Sequence, residues 1–222
     1  FMKEKVNNLH ERANIEVIPI GFDKNLFYPI SQKRARNYLS IKENKTLFLS
    51  IGRLDDNKNH QLFIEGICQL QGSFPEVQGV IIGEGPNFRK LIKLIKSLNC
   101  EKCVKLIGYV PHEKINLWIN AANFVVLTSF SEGSPTVMYE TLACGKPFLG
   151  SKVGGIPEII SSDDYGVLFD PRDKEDLVNK MKVMMMKEWN RDKIIQYSKR
   201  YSIENISKTI YQTYIDLVNK NR

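Results

Sequence analysis

The chain is punctuated by short apolar runs, of which Leu47-Phe48-Leu49 and Phe124-Val125-Val126-Leu127 are the densest. Runs that are apolar at every position, instead of every second one, fit strands buried on both faces of a parallel sheet. Seven segments read as strands: Ile15–Ile20, Thr46–Ile51, Val77–Ile82, Val104–Ile107, Phe124–Leu127, Pro147–Gly150 and Val167–Phe169. Between them the apolar period lengthens to that of a helix. His60–Leu70 aligns Leu62, Phe63, Ile67 and Leu70 on one stripe, and Pro86–Leu98 does the same with Phe88, Leu91, Ile92, Ile95 and Leu98. His112–Ala122 carries Ile115, Leu117, Trp118 and Ile119. Past Asp170 the strands cease, and Asp173–Trp189, Asn190–Tyr201 and Ile203–Val218 read as three successive helices.

Strands and helices in alternation imply right-handed βαβ units and an open, doubly wound α/β sheet. In such a sheet ligands sit outside the carboxyl ends of the strands, on the loops that open the helices. The chemistry is therefore expected after Ile51, Ile82, Ile107, Leu127 and Gly150.

Composition narrows the partner. The formal charge of +7 and the pI near 9.1 favour an anion, whether a phosphorylated small molecule, an acidic membrane surface or nucleic acid, though an ordinary lysine-rich surface gives the same charge. No apolar stretch approaches the ~20 residues of a membrane span, and the polar start has no secretory pattern. A chain opening on Phe1 reads as a piece of a longer protein. Of the four cysteines, Cys100-x-x-Cys103 resembles half of a metal or redox motif, but no second pair accompanies it. All four read as structural thiols, which implies a reducing, cytoplasmic compartment and no metal. The Met184–Met186 cluster reads as adaptable packing.

The loop after Leu127 runs Thr128-Ser129-Phe130-Ser131-Glu132-Gly133-Ser134-Pro135-Thr136-Val137 and its helix continues past Glu140. Ser134 is expected to be the N-cap and Pro135 the first helical residue. The amides of Thr136 and Val137 would then face an anion at the helix start. Glu140, a turn beyond Thr136, suits a vicinal diol such as a ribose, and Glu132 suits further hydroxyls of the same ligand. Taken alone, either glutamate fits a solvated surface position better than a ligand-binding one. In the loop after Ile51, Gly52 admits close backbone approach, Arg53 offers a two-pronged contact to phosphate, and Lys58 adds a compact charge before the next helix. Gly83-Glu84-Gly85-Pro86 has only two of the three glycines of a dinucleotide fingerprint. Tyr109 and Val110, in Gly108-Tyr109-Val110-Pro111, are placed to wall a base pocket or simply to turn the chain.

Taken together these loops resemble glycosyltransferase family 4. Glu132 and Glu140 have seven residues between them, the EX7E element of that family, followed by Thr141–Pro147 and Val153-Gly154-Gly155-Ile156-Pro157-Glu158. Gly52-Arg53 with Lys58, Gly83 with Gly85, and Gly108-Tyr109-Val110 come in the family's order, and Val17–Asp23 with Leu26–Pro29 resembles the opening of its C-terminal domain. Ile20 and Ser134 depart from the usual pattern, which bears on sugar selectivity and leaves the charged residues intact.

The resemblance implies a Rossmann-like domain, the C-terminal half of a two-domain GT-B enzyme that transfers sugar with retention of anomeric configuration. Arg53 and Lys58 would stabilise the departing diphosphate, together with the amides of Thr136 and Val137. Glu140 would hold the ribose, Glu132 the sugar, and Tyr109 and Val110 the base; Gly52, Gly83, Gly85 and Ser134 complete the donor site. Arg53, Lys58 and Glu132 form the expected catalytic set. The donor would be a UDP- or GDP-sugar, and with no Asp-x-Asp triplet in the chain the expected cofactor is none, metal included. A glycan or lipid-linked acceptor would bind a preceding domain, with peripheral inner-membrane association and no nucleic-acid partner. Residues 1–14 would be the remnant of that domain, 15–200 the donor domain, and 201–222 a helix packing back on the missing half. A non-catalytic nucleotide-sugar-binding module and a GT-B-fold epimerase are the alternatives. A nicotinamide oxidoreductase is disfavoured by the incomplete glycine pattern and by the lack of an acidic residue ending a second strand.

Overall fold

The protein is described from a computed structural model covering residues 15–220. Six parallel strands form one sheet in the order β3-β2-β1-β4-β5-β6. They are β1 (Thr46–Ile51), β2 (Val77–Ile82), β3 (Val104–Gly108), β4 (Phe124–Leu127), β5 (Phe148–Ser151) and β6 (Gly166–Phe169). The strand order reverses direction between β1 and β4, the switch point at which doubly wound sheets open a crevice. Helices alternate with these strands: α1 (Gln32–Tyr38), α2 (His60–Gln71), α3 (Phe88–Ser97), α4 (His112–Ala121), α5 (Thr136–Ala143) and α6 (Ile156–Ile159). Three more follow the sheet: α7 (Lys174–Met186), α8 (Arg191–Ser198) and α9 (Ile203–Lys220). Asp173 and Asn190 cap α7 and α8 by accepting from the amides of Asp176 and Lys193, both at 3.0 Å.

Continuous apolar strands require two cores, and both are present. Leu47, Leu49, Val125, Leu127 and Phe148 pack on one face with α4, α5 and α8; Phe48, Phe124, Val126, Leu149 and Phe169 pack on the other with α2, α3 and α7. Neighbouring residues of one strand enter opposite cores because side chains alternate across a sheet. Each fully buried Phe or Leu contributes about 1.5–3 kcal/mol of transfer free energy.

Ile15–Ile20 is not a strand. No sheet edge receives it, and Val17 and Ile20 are about half-exposed. The chain instead makes a single bridge at Phe22, whose amide donates to Tyr201 and whose carbonyl accepts from Ile203, both at 2.9 Å. The α4 stripe also differs. Asn116 and Asn120 are buried where Leu117 was expected, because they hold the incoming chain: Asn120 accepts from the Ile30 amide at 2.8 Å and donates to the Tyr28 carbonyl at 3.0 Å. On α3, Leu91 and Ile95 are buried, while Phe88 and Leu98, at and beyond its ends, are exposed. Of the methionine cluster, Met184 is core and Met186 is exposed.

The cysteines correct the reading of four free thiols. Cys68 of α2 and Cys100, three residues past α3, are joined in a disulfide, while Cys103 and Cys144 are buried thiols. The compartment argument built on free thiols loses its premise. No helix among the described residues is long and apolar enough to cross a membrane. The segment 1–14, read as the remnant of a preceding domain, lies outside the described residues.

Candidate functional site

The two loops flanking the switch point are stitched to each other. Phe130 donates its amide to the Asn57 carbonyl at 2.8 Å, and Asn57 donates from its side chain to the Ser131 carbonyl at 2.9 Å. The buried Thr128 hydroxyl lies 3.0 Å from the Lys58 carbonyl and 2.9 Å from that of Asn59. This stitching brings together residues 74 apart in sequence: Lys58 Nζ donates to Glu132 Oε1 at 2.5 Å. The pair is largely sheltered, with side chains 21% and 9% exposed. An ion pair of this kind is stronger than one on open surface, and each partner keeps the other from being a lone buried charge.

Gly52 lies beside the stem of Lys58 and also lines a cleft of ≈ 290 Å³. Arg53, Gly83, Tyr109, Val110 and His112 share that cleft. The Arg53 side chain is 72% exposed, with Nε 3.6 Å from Asp55, so it stands at the rim and does not reach the Lys58–Glu132 pair. Gly83 and Gly85 have a packing reason. A Cβ on Gly83 would lie 1.9 Å from the Gly52 carbonyl oxygen, and one on Gly85 2.5 Å from that of Leu54. These glycines let the loop after β2 lie against the loop after β1, where the Leu54 amide donates to Glu84 at 2.8 Å.

Glu140 is buried, and its Oε1 accepts from His112 Nε2 at 3.0 Å. Burial raises its pKa, partly opposed by the His112 hydrogen bond. His112 opens α4 and so couples Glu140 to the cleft. Ser134 is not the N-cap. Pro135 takes that place without a side-chain bond, and Ser134 Oγ lies 2.5 Å from the hydroxyl of buried Tyr139. The loop approaches the helix with Ser134 turned toward that core hydroxyl. Thr136 and Val137 still form the first turn of α5, where amides have no earlier helical carbonyl to meet.

Sequence reasoning missed His60 as well as His112. His60, the first residue of α2, is buried; Nδ1 lies 3.1 Å from Ser50 Oγ and Nε2 3.2 Å from the Arg53 carbonyl. Donation from Nε2–H to that carbonyl fixes the backbone of the Arg53 loop. Burial lowers the His60 pKa to about 4, reinforced by nearby Lys58. The folded state therefore resists a proton that the unfolded chain accepts near pH 6.5. Stability conferred by neutral His60 is complete above pH 6.5 and is lost as the pH falls toward 4, by up to roughly 3 kcal/mol. Denaturant unfolding across that window should show His60→Gln flattening the pH dependence. An unchanged slope in the variant would assign it to other groups.

The profile of the family "Glycosyl transferases group 1" matches residues 31–201. Mannosylfructose-phosphate synthase of Agrobacterium fabrum is 31% identical over 195 residues, covering 83% of this chain and 42% of that protein. D-inositol 3-phosphate glycosyltransferase of Corynebacterium jeikeium is 25% identical over 217 residues, 91% of this chain and 52% of its own length. The chain thus spans about half the length of these relatives. Among solved structures, sucrose-phosphate synthase of Thermosynechococcus elongatus superposes with a TM-score of 0.82 at 24% identity, over 98% of this chain and 57% of that one. Anabaena Alr3699/HepE, solved in complex with UDP, gives 0.80 at 24%, over 90% and 57%. The doubly wound, Rossmann-like sheet with its C-terminal helix is thus shared with GT-B glycosyltransferases. On the profile match, which spans more than half of its length, the chain is a member of the glycosyl transferases group 1 family.

Proposed function

We propose that this chain is the donor-binding C-terminal half of a retaining, family 4 hexosyltransferase. It takes a UDP- or GDP-sugar without a metal ion and works with a preceding domain that holds a glycan or lipid-linked acceptor. The observation that carries this reading is the Lys58–Glu132 pair, held at the switch point beside the Gly52–Val110 cleft. A base and ribose suit the cleft, with Glu140 and His112 at its side. A diphosphate suits Lys58 and the first turn of α5, and Arg53 closes over it from the rim.

The pair also gives Glu132 two states. Without donor its carboxylate neutralises Lys58. With donor, Lys58 turns to the diphosphate and the carboxylate is released to accept sugar hydroxyls. Glu132→Gln should therefore leave UDP binding unchanged or tighter while weakening the UDP-sugar, each lost charged hydrogen bond costing about 1.5–3 kcal/mol. Glu140→Ala should weaken every nucleotide. Calorimetric titration in EDTA, beginning with UDP and UDP-glucose and then the GDP series, tests both claims. Binding that requires magnesium or manganese would sink the metal-free reading, and equal losses of free nucleotide in both variants would sink the division of labour.

A further inference from the structure

Three sulfurs from separate segments converge at a place the proposed transfer chemistry does not use. Cys68 lies on α2, Cys100 follows α3, and Cys103 immediately precedes β3. Their Sγ atoms all lie within 4.8 Å of one another, and among the described residues no other group of three or more Cys, His, Asp or Glu side chains gathers as a metal-ligand set would. The backbone sets two of them: the amides of Cys103 and Val104 donate to the Cys100 carbonyl at 3.0 and 2.8 Å, turning the chain so that both cysteines face α2. Cys100 and Cys103 belong to the core on the α2 and α3 side of the sheet, with Cys68 packed at its margin, while Cys144 lies in the opposite core.

A disulfide needs two sulfurs, and the third has no part in it. Three thiolates around one thiophilic cation stand roughly 4 Å apart at Zn–S distances of about 2.3 Å; Cys103 Sγ already lies within 4.8 Å of both sulfurs of the bonded pair, so parting Cys68 from Cys100 is the one change that spacing needs. Cys68 is only half-buried, so the cluster has a solvent side through which an ion can enter and on which a water can complete its coordination. Thiolate sulfurs select soft d10 cations over magnesium or calcium.

We propose that Cys68, Cys100 and Cys103 form a thiophilic-cation site for one Zn²⁺ or Cu⁺, and that the Cys68–Cys100 disulfide is the oxidised, metal-free state of the same sulfurs. The interconversion balances. A dithiol reductant gives two electrons and two protons to the Cys68–Cys100 bond, becomes a disulfide itself, and leaves three thiols. The cation then forms three metal–sulfur bonds as the three thiols release their protons. Oxidation of the two cysteines by a disulfide-class oxidant expels the cation. The bound ion would clamp α2 to the α3–β3 connection, as the disulfide does, so the fold keeps its tie in either state.

The test uses the full-length protein, reduced with a phosphine under anaerobic conditions. Zn²⁺ and Cu⁺ are titrated in separate arms against chromophoric chelators, and Cd²⁺ is titrated to read the thiolate-to-metal charge-transfer band. One equivalent should bind in at least one arm, and the band should saturate at one Cd²⁺ per chain. Cys68→Ser, Cys100→Ser and Cys103→Ser should each lower affinity by more than the about 10–100-fold that loss of a mere supporting partner costs. Cys144→Ser should leave it unchanged, and the oxidised protein should not bind. No band and no binding of either cation by the reduced wild-type protein would overturn the proposal without recourse to any variant. Wild-type affinity in Cys103→Ser would overturn it as well, by showing that only two sulfurs take part. The outcome is independent of nucleotide titration, so the donor-site reading stands or falls separately.

Discussion

On the proposed donor-site reading, Lys58→Ala in the full-length protein is expected to lower turnover at saturating donor by about 10²–10³, the usual cost of removing one preorganised charge-stabilising donor. The argument rests on where charge develops. A bound diphosphate is already anionic, so a nearby ammonium helps binding; breaking the anomeric bond adds charge to the leaving group, so the ammonium helps the transition state more. Only that difference accelerates the reaction. Lys58 needs little rearrangement for this: its backbone carbonyl is held by Thr128, and its sheltered ammonium, paired with Glu132 until a donor arrives, has only to turn from that carboxylate to the diphosphate. Arg53 is not preorganised in the same way. Its side chain is 72% exposed and must swing inward, so Arg53→Ala should act mainly by raising the Michaelis constant. Steady-state kinetics on the full-length protein separate the two effects. A Lys58→Ala enzyme with normal turnover and a raised Michaelis constant would reduce Lys58 to an anchor.

Gly154→Ala should be nearly as damaging, although residue 154 is assigned no contact with the donor. Gly154 has φ +56°, and a Cβ there would stand 1.7 Å from the Glu132 carbonyl oxygen. The next residue lies as close to the same loop: Gly155 donates its amide to the Gly133 carbonyl at 2.9 Å. The two glycines let the turn after β5 support the backbone that carries Glu132. A methyl group forces the loops apart by more than an ångström, and misplacements of about 1 Å in a reacting array cost about 10²-fold. The strained backbone adds a stability loss of about 1–3 kcal/mol. Gly72→Ala, where the new methyl would meet nothing nearer than 3.6 Å, is the control. Kinetics and denaturant unfolding of the two variants should diverge sharply. Wild-type activity in Gly154→Ala would show that Glu132 does not depend on that support.

The sheet was legible because most of its strands are near-continuous apolar runs, only edge strand β3, with exposed Lys105, alternating between buried and open positions. Ile15–Ile20 looked alike in composition, but a strand also needs a partner edge, and local sequence says nothing about that. The helix Gln32–Tyr38 was invisible for the opposite reason. It has no apolar stripe, and docks through polar bonds from Gln32 to the Ala122 carbonyl at 2.8 Å and from Arg36 to that of Ala121 at 2.9 Å. Asn116 and Asn120 escaped a hydrophobic count because their burial is justified by hydrogen bonds to a segment 90 or so residues away. The loops of the candidate site could be placed from strand–helix alternation and the spacing of two glutamates. The Lys58–Glu132 pairing could not, since it needs the strand order. His60 and His112 had no periodic signal, only their positions as the first residues of helices at the carboxyl edge. The Cys100-x-x-Cys103 spacing gave no sign of the disulfide, because the partner of Cys100 in it is Cys68, 32 residues away.

Bonds between loops at the carboxyl edge carry the hydrogen-bonded ladder past the ends of the strands. The Gly52 amide donates to Ile82 at the end of β2, and the amides of Leu54, Phe130 and Gly155 donate to carbonyls of neighbouring loops. Amides bonded in this way exchange with solvent only when the layers beneath them part, so this edge belongs to the cooperative unit of the sheet. Binding therefore need not order these loops, and the entropy that a floppier surface would lose on meeting its ligand has already been lost in folding.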